Sequence, residues 1–326
     1  MIKNLVMNKI LNFLLALILL GCNTAEKQND FIDRGLLWTV SWSPDGKYIS
    51  SGGNQDTLRL FSGENFKIDK NYPLKNTITK LKWHPHEEKL AISTQISTEK
   101  AKIIDLKNGK TIELDSISND GARGIGWNFD GTLLGVGDNN GMLTIFDEEG
   151  NFIKKIDVNQ KSITGLSWNP TKNIVVTVGS QIGIYDYEKD KLLNIKPSNY
   201  EVLMLCVDWH PSGEFFVTGD YGDFEKNYPP LLQFWSANGD NIKNIKKSKL
   251  EYRNLRWSKN GEVLATASDH VRLWNKSGDL IKEGKPKNTL WGIDWSPEDN
   301  QIVTSDEKGR ITIWDKNLNI QKELNY

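Results

Sequence analysis

Short runs of alternating apolar and polar residues fill the chain from about residue 36 to its end. Typical runs are "TLRLF" (57–61), "LTIF" (143–146) and "ITIWD" (311–315). β-Branched residues are frequent in them, and clusters of Gly, Asn, Asp, Pro and Ser separate them roughly every 8–12 residues. Alternation with a period of two predicts antiparallel strands, and no helical stretch of useful length follows the N-terminal segment.

One unit, an apolar residue, any residue and a tryptophan followed by a turn, occurs seven times. It is seen in "VSWSPDG" (40–46) and again in "IDWSPED" (293–299). The repeat tryptophans, spaced by 41, 44, 41, 41, 48 and 38 residues, are Trp42, Trp83, Trp127, Trp168, Trp209, Trp257 and Trp295. Each unit continues into three more short strands. Four strands in about forty residues, repeated seven times, predict an all-β, seven-bladed β-propeller of four-stranded antiparallel blades.

The repeats resemble those of the WD40 family, and the resemblance covers residues 36–326. The best matches are "SWSPDGKYISSGG" (41–53) and "DWSPEDNQIVTSDEKGRITIWD" (294–315). Only Trp314-Asp315 keeps the family's eponymous dipeptide, and the usual Gly-His pair is missing from every repeat. The family's His–Asp hydrogen-bond network is therefore expected to be absent from most blades, although the strand pattern remains.

The two ends of the repeat region predict how the ring closes. The chain enters an innermost strand near Leu37 and leaves on an outermost strand, residues 319–325. Each blade is then one continuous segment, without the strand exchange common in WD40 proteins. The alternative is that residues 28–34 pair with blade seven.

Two of the 12 tryptophans are left over after the repeats are explained. Seven are the repeat tryptophans, and Trp235, Trp274 and Trp314 end third strands. The remaining two, Trp38 and Trp291, each stand four residues before a repeat tryptophan. This position varies around the ring, whereas a position set by the fold alone would be uniform; its residues are Trp38, Thr79, Arg123, Thr164, Leu205, Arg253 and Trp291.

The WD40 resemblance implies that this variable position surrounds the mouth of the central channel, where family members commonly grip peptides. Trp38, Trp291, Arg123 and Arg253 are therefore predicted to bind a protein or peptide segment, since Trp and Arg dominate binding hot spots and guanidinium groups stack on indoles. The alternative is that the two tryptophans only plug the channel against each other.

A long connection in blade five adds to this prediction. "GDYGDFEKNYPP" (219–230) separates the second and third strands, and the family topology places it on the same face as the mouth. Tyr221, Phe224 and Tyr228 alternate with acids in a manner suited to recognition. A calcium site and a tolerated surface insertion are the alternatives.

The N-terminal segment predicts export and membrane attachment. Residues 1–21 combine Lys3 and Lys9 with a short apolar run and Gly21, as in a secretory signal peptide. "LLGC" (19–22) resembles the lipobox of bacterial lipoproteins, which implies that Cys22 is lipidated and that 22–35 form a tether. The predicted location is the bacterial cell envelope. An uncleaved anchor helix is the alternative.

Charge and cysteine content narrow the possible partners. Removing residues 1–21 takes away two positive charges, so the net charge of −1 becomes −3. A nearly neutral chain gives no electrostatic case for a nucleic-acid partner. After lipidation of Cys22 only Cys206 remains, and it is expected to be a small buried apolar residue.

The sequence contains no recognisable catalytic motif, and we predict no catalytic residue, metal site or cofactor. Three classes of function remain. The first is a membrane-anchored propeller that binds a peptide or protein segment at the channel mouth. The others are an envelope assembly scaffold that uses the propeller rim, and a propeller enzyme with paired carboxylates in the channel.

Overall fold

The computed structural model describes residues 35–95, 101–196 and 202–324. The chain divides into two units, 1–33 and 34–326, and the described residues all lie in the second. They form 28 β-strands in seven four-stranded sheets, and no helix occurs in the described ranges. The predicted seven-bladed β-propeller is confirmed. The predicted signal peptide and Cys22 lie outside the described residues.

The first four blades take the chain from residue 39 to residue 195. Blade 1 contains β1 (Thr39–Trp42), β2 (Tyr48–Gly52), β3 (Thr57–Ser62) and β4 (Ile68–Pro73). Blade 2 contains β5 (Ile78–Trp83), β6 (Lys89–Thr94), β7 (Lys102–Asp105) and β8 (Thr111–Glu113). Blade 3 contains β9 (Ala122–Trp127), β10 (Leu133–Asp138), β11 (Met142–Asp147) and β12 (Phe152–Asp157). Blade 4 contains β13 (Ile163–Trp168), β14 (Ile174–Gly179), β15 (Ile182–Asp186) and β16 (Lys191–Ile195).

The last three blades continue the same pattern. Blade 5 contains β17 (Met204–Trp209), β18 (Phe215–Asp220), β19 (Leu232–Ser236) and β20 (Asn241–Ile245). Blade 6 contains β21 (Asn254–Trp257), β22 (Val263–Ala267), β23 (Val271–Asn275) and β24 (Leu280–Gly284). Blade 7 contains β25 (Leu290–Trp295), β26 (Gln301–Asp306), β27 (Ile311–Asp315) and β28 (Ile320–Leu324).

Every blade is built from one continuous segment of chain. In each sheet the strands pair in sequence order, all antiparallel, and β28 is the outermost strand of blade 7. The predicted absence of strand exchange is therefore confirmed within the described residues. Residues 28–34, the alternative partner of blade 7, lie outside them.

The hydrophobic core is divided among the seven interfaces between blades. Each of seven apolar clusters combines residues of two consecutive blades, and each contains the repeat tryptophan of the later blade. A blade has two apolar faces because its strands present alternate residues to both neighbours. Burial of those faces therefore requires a closed ring.

The repeat tryptophans also connect the blades by hydrogen bonds. The indole Nε1 of Trp83 donates to Ser50 Oγ (3.1 Å), and that of Trp168 donates to the Gly126 carbonyl (2.9 Å), each in the preceding blade. Trp295 makes the corresponding bond to Arg256 O at 3.1 Å. The sequence expectation that these rings pack between blades is confirmed.

Tryptophans of the third strands have a different role. The indoles of Trp235, Trp274 and Trp314 donate to threonine hydroxyls of their own blades at 2.9–3.0 Å. These bonds hold the second strand to the third where the family's histidine network is missing. The uniform positions of these residues are thus explained by the fold.

Blade 7 is joined to blade 1 by side-chain and backbone contacts. Asp294 Oδ2 accepts hydrogen bonds from Ser41 Oγ (2.7 Å) and from the Trp42 backbone N–H (2.9 Å). A Cβ atom added at Gly292 would lie 2.8 Å from the Val40 backbone nitrogen, so glycine allows the two inner strands to approach. The backbone N–H of Leu37 donates to Asp306 O at 3.2 Å.

The last strand contributes to this closure through one side chain. Leu324 is 4% exposed and belongs to the cluster shared by blades 7 and 1, whereas Ile320 on the same strand is 48% exposed. Leu324→Ala should lower the free energy of unfolding by about 2–5 kcal/mol because it opens a cavity in the closing interface. Ile320→Ala, the matched control, should change it by about 0.5 kcal/mol. Chemical denaturation measures both, and equal effects would contradict this role for β28.

Candidate functional site

The variable position identified in the sequence forms one end of the central channel. Its seven residues, together with Lys80, line a cavity of about 70 Å³, which we call the narrow mouth. Each residue stands where an innermost strand begins, four residues before the repeat tryptophan. The strand rise of about 3.3 Å per residue places that tryptophan roughly 13 Å further along the channel. The predicted convergence of these seven positions is thus observed.

Aromatic and guanidinium groups form a continuous row across the narrow mouth. The Trp38 and Trp291 rings are 5.1 Å apart between centroids and tilted by 56°. The Arg123 guanidinium lies 5.3 Å from the Trp38 ring centroid, and the Arg253 guanidinium lies 3.9 Å from that of Trp291. Arg253 is also 5.5 Å from the Tyr221 ring. We call Arg123, Trp38, Trp291, Arg253 and Tyr221 the mouth ladder.

The charge of the narrow mouth is incompletely balanced. Arg253 forms an ion pair with Glu251, but Arg123 has no ion pair among the described residues. Burial, and then repulsion by Arg253, lower the pKa of Arg123, and burial lowers the pKa of Lys80. The Nε atoms of both arginines are buried without a hydrogen-bond partner. Three cations thus face one carboxylate, an arrangement that favours an anionic ligand.

The size of the cavity limits what can enter it. About 70 Å³ holds roughly two water molecules, each of which occupies about 30 Å³. Trp38 also donates from Nε1 to Asn54 Oδ1 at 2.8 Å, which fixes one ring of the pair. The two indoles therefore do narrow the channel, as the plug alternative expects. Both remain half-buried, with surface open to a partner lying over the mouth.

Of the three aromatic residues predicted in the 219–230 loop, Tyr221 reaches the ladder. Phe224 is 57% exposed, and Tyr228 is half-buried where it exchanges backbone hydrogen bonds with Asp223. No ring contact joins Phe224 to the ladder in the described part of the chain. The structure thus places one of the three in the site and the other two in the adjacent loop.

Asp220 holds both ends of this loop. Its Oδ1 accepts backbone hydrogen bonds from Leu231 (2.7 Å) and Gly222 (3.1 Å), and the side chain is buried. Burial raises the pKa of Asp220 to about 6, although the two hydrogen bonds oppose the shift. The loop is therefore fixed by a carboxyl group that is more easily protonated than usual.

Asp220→Asn should remove one pH dependence of stability. An unfolded Asp ionises near pH 3.8 and folded Asp220 near pH 6, so the folded state holds an extra proton between these values. Stability of the wild type therefore falls as pH rises through this window. Asn keeps an acceptor for both backbone bonds. The variant should have the higher free energy of unfolding at pH 7, by about 2–3 kcal/mol, and not at pH 4.

Denaturation at several pH values from 4 to 7 measures this difference. Asp223→Asn is the control in the same loop, because the hydrogen bond from the Lys226 backbone N–H, and then the contact with its ammonium group, lower the pKa of Asp223. It should leave the slope between pH 4 and 6 unchanged. Parallel pH profiles for Asp220→Asn and the wild type would contradict this role.

The opposite end of the channel has a larger opening that the sequence analysis did not identify. A cavity of about 750 Å³, which we call the wide mouth, is lined by all seven repeat tryptophans. The residues just before those tryptophans also line it: Ser41, Lys82, Gly126, Ser167, Asp208, Arg256 and Asp294. In the sequence, the charged residues at four of these seven positions could have indicated this opening.

Asp208 is fully engaged in the channel wall. Its Oδ1 accepts from Arg256 Nη1 (3.1 Å) and from Ser167 Oγ (3.3 Å), and its Oδ2 accepts from the Trp257 backbone N–H (3.0 Å). These donors belong to blades 4 and 6. The carboxylate therefore connects three blades.

Asp294 is engaged in the same way on the other side of Arg256. Its Oδ1 lies 3.2 Å from Arg256 Nε, and its Oδ2 accepts the two bonds from blade 1. The charges of Asp208 and Asp294 raise the pKa of Arg256 above its usual value. Two acids thus converge in the channel, but each is already paired with Arg256 and with backbone donors. This arrangement stabilises the ring and differs from the unpaired acid and base of a carboxylate enzyme.

Other features of the chain add little to the site. Cys206 is buried, and burial raises the pKa of its thiol to about 12, as expected for a packing residue. In the described ranges no three His, Cys, Asp or Glu side chains lie close enough together to hold a metal ion. A search of the same residues finds no helix with the length and apolar character needed to cross a membrane.

Three segments of the chain match known repeat families. Residues 32–62 and 278–315 match the family described as WD domain, G-beta repeat. Residues 114–171 match the family described as anaphase-promoting complex subunit 4 WD40 domain. Together with the fold, these matches support WD40 repeat domains forming a seven-bladed β-propeller.

Comparison with characterised proteins gives distant relatives. The chain is 22% identical over 282 residues to THO complex subunit 3 of Arabidopsis thaliana, covering 81% of this chain and 84% of that protein. It is 24% identical over 143 residues to F-box-like/WD repeat-containing protein TBL1Y of Homo sapiens and to TBL1X of Mus musculus. Each of the latter alignments covers 44% of this chain and 22% of the relative.

Proposed function

We propose that this protein is a non-catalytic, WD40-like propeller that binds a protein or peptide segment at the narrow mouth and is held on a membrane by a lipid. The mouth ladder is the observation that carries the first part. It places two tryptophans and two arginines side by side at positions that the fold leaves variable. Protein binding is also the general role of WD40 propellers.

The partner segment carries an acidic group and an apolar side chain that contact the narrow mouth. Its carboxylate pairs with Arg123 and Lys80, which have no ion pair among the described residues, and its apolar part lies on the indoles of Trp38 and Trp291. A carboxylate group matches a cavity of about 70 Å³, whereas a large side chain does not. Phe224 and Tyr228 extend the contact surface beyond Tyr221.

Two other functions have less support from the structure. A propeller enzyme that works through paired carboxylates needs a free carboxylate in the channel, and Asp208 and Asp294 are both committed to Arg256. An assembly scaffold would use the rim, where outermost strands expose apolar residues such as Phe152 and Ile242. Those residues are spread over separate blades among lysines, a pattern that protects sheet edges from pairing.

Truncation of the ladder tests the mouth. Trp38→Ala and Trp291→Ala should each cost about 2–4 kcal/mol of partner binding, a loss of roughly thirtyfold or more. Phe129→Ala is the control, since Phe129 is a 40% exposed aromatic residue at the wide mouth. Quantitative capture of partners from membrane extracts and thermal melting are measured on all three variants. A lowered melting temperature with unaltered capture would show that the tryptophans are only a plug.

Membrane attachment is proposed from the N-terminal sequence. Residues 1–21 would be removed, Cys22 would carry the lipid, and residues 22–35 would connect it to the propeller in the bacterial cell envelope. More than one acyl chain is needed for stable anchoring, since each buried methylene contributes about 0.8 kcal/mol. The relatives named above come from a plant and two animals, so the lipobox resemblance alone supports this location.

Cys22→Ser tests the anchor. The variant should be released in soluble form or keep residues 1–21, because the lipid acceptor is gone. Fractionation and intact-mass measurement distinguish these outcomes from the native state. A variant that stays with membranes and has the mass of the native protein would rule out lipidation at Cys22. Cys206→Ser is the matched control and should fractionate as the wild type does.

A further inference from the structure

The wide mouth has the dimensions of a small-molecule site. Its volume of about 750 Å³ lies within the range of roughly 300–1,000 Å³ typical of ligand pockets. The seven repeat tryptophans, each 4–8% exposed, and several prolines, among them Pro44 and Pro170, line it. Such pockets bind through apolar contact and take their specificity from a few polar groups.

One half-buried lysine in this cavity is left without a partner. Asp208 and Asp294 neutralise Arg256 and have donors on all four carboxylate oxygens. The Lys82 ammonium has no hydrogen bond or ion pair with any described residue. It lines the wide mouth, while Lys80, two residues earlier on β5, lines the narrow one. Lys259 also lines the wide mouth without an ion pair among the described residues, but it is exposed to solvent. Lys82 is therefore the half-buried charged group in this cavity that lacks a counter-ion.

The surroundings of Lys82 make an added negative charge favourable. Burial, and then repulsion by Arg256, lower the pKa of Lys82 to about 7, with Lys80 acting in the same direction. Asp208 and Asp294 oppose this shift without overcoming it. An anion beside the ammonium would stabilise its protonated form.

We propose that the wide mouth binds a small organic carboxylate, with the carboxylate paired to Lys82 and the apolar body against the repeat tryptophans. A single half-buried cation without a counter-ion calls for a single negative charge. The aromatic and proline walls call for an apolar body rather than a bare inorganic anion. This site is independent of the narrow mouth and uses none of its residues.

Benzoate and benzamide test the site, since they share a ring and differ in charge. Binding to the full-length protein is measured by ligand-observed NMR titration at pH 6.5. The wild type should bind benzoate more tightly than benzamide, and Lys82→Met should weaken benzoate binding about tenfold or more while leaving benzamide unchanged. Lys259→Met, which changes an exposed lysine of the same cavity, is the matched control and should bind both as the wild type does. Lys82→Gln replaces Lys82→Met if the latter melts at a lower temperature.

The pH dependence gives a second readout. Benzoate affinity of the wild type should fall as pH rises from 6 to 8.5, because Lys82 loses its proton, and the Lys82→Met variant should lack this fall. Equal binding of benzoate and benzamide, or equal losses in the Lys259 and Lys82 variants, would overturn the proposal. Absence of benzoate binding to the wild type would overturn it as well.

Discussion

Closure of the ring between blade 7 and blade 1 is the constraint on which the rest of the structure depends. No strand is exchanged between the 28 described strands, so within them the interface holds without a chain crossing from one blade into the other. Asp294 provides two hydrogen bonds across it, and a cluster of apolar residues from both blades provides the buried surface. Blades 1 and 7 each have an apolar face that is covered only while this interface stays closed.

The same inner strands that close the ring also make its two ends different. Each strand ends in a repeat tryptophan that packs between blades, and the residue just before it faces the channel. There Asp208, Arg256 and Asp294 link three blades by ion pairs. At the strand starts no such requirement applies, and those positions hold the tryptophans and arginines of the narrow mouth. Residues at the tryptophan end of each inner strand therefore stabilise the fold, whereas residues at the start of the strand are free to vary.

Much of the fold could be predicted from the sequence because its signals are local and repeated. Strand alternation, the seven repeat tryptophans and their spacing gave the blade number, and the position of Leu37 gave the route of the chain. The convergence of Trp38 and Trp291 was also predictable, since both occupy one position of a closed repeat. In these cases residues that are one repeat apart in the sequence occupy equivalent positions in the ring.

The charged contacts of the channel could not be predicted in this way. Lys80 and Lys82 belong to one strand, yet one faces the narrow mouth and the other the wide mouth. The pairing of Arg256 with two aspartates depends on the stagger of three blades, which no local pattern encodes. Likewise, the loop sequence does not say which of Tyr221, Phe224 and Tyr228 reaches Arg253.

The central claim is that a partner docks on the narrow mouth, and site-specific photo-cross-linking measures this most directly. A photoreactive phenylalanine is placed at Leu205, which lines the narrow mouth, or at Ile242, which is 60% exposed on the rim. After irradiation in membrane extracts, our account predicts a protein adduct from Leu205 that disappears when Trp291→Ala is added. Adducts from Ile242 alone would contradict it and would favour a scaffold that uses the rim.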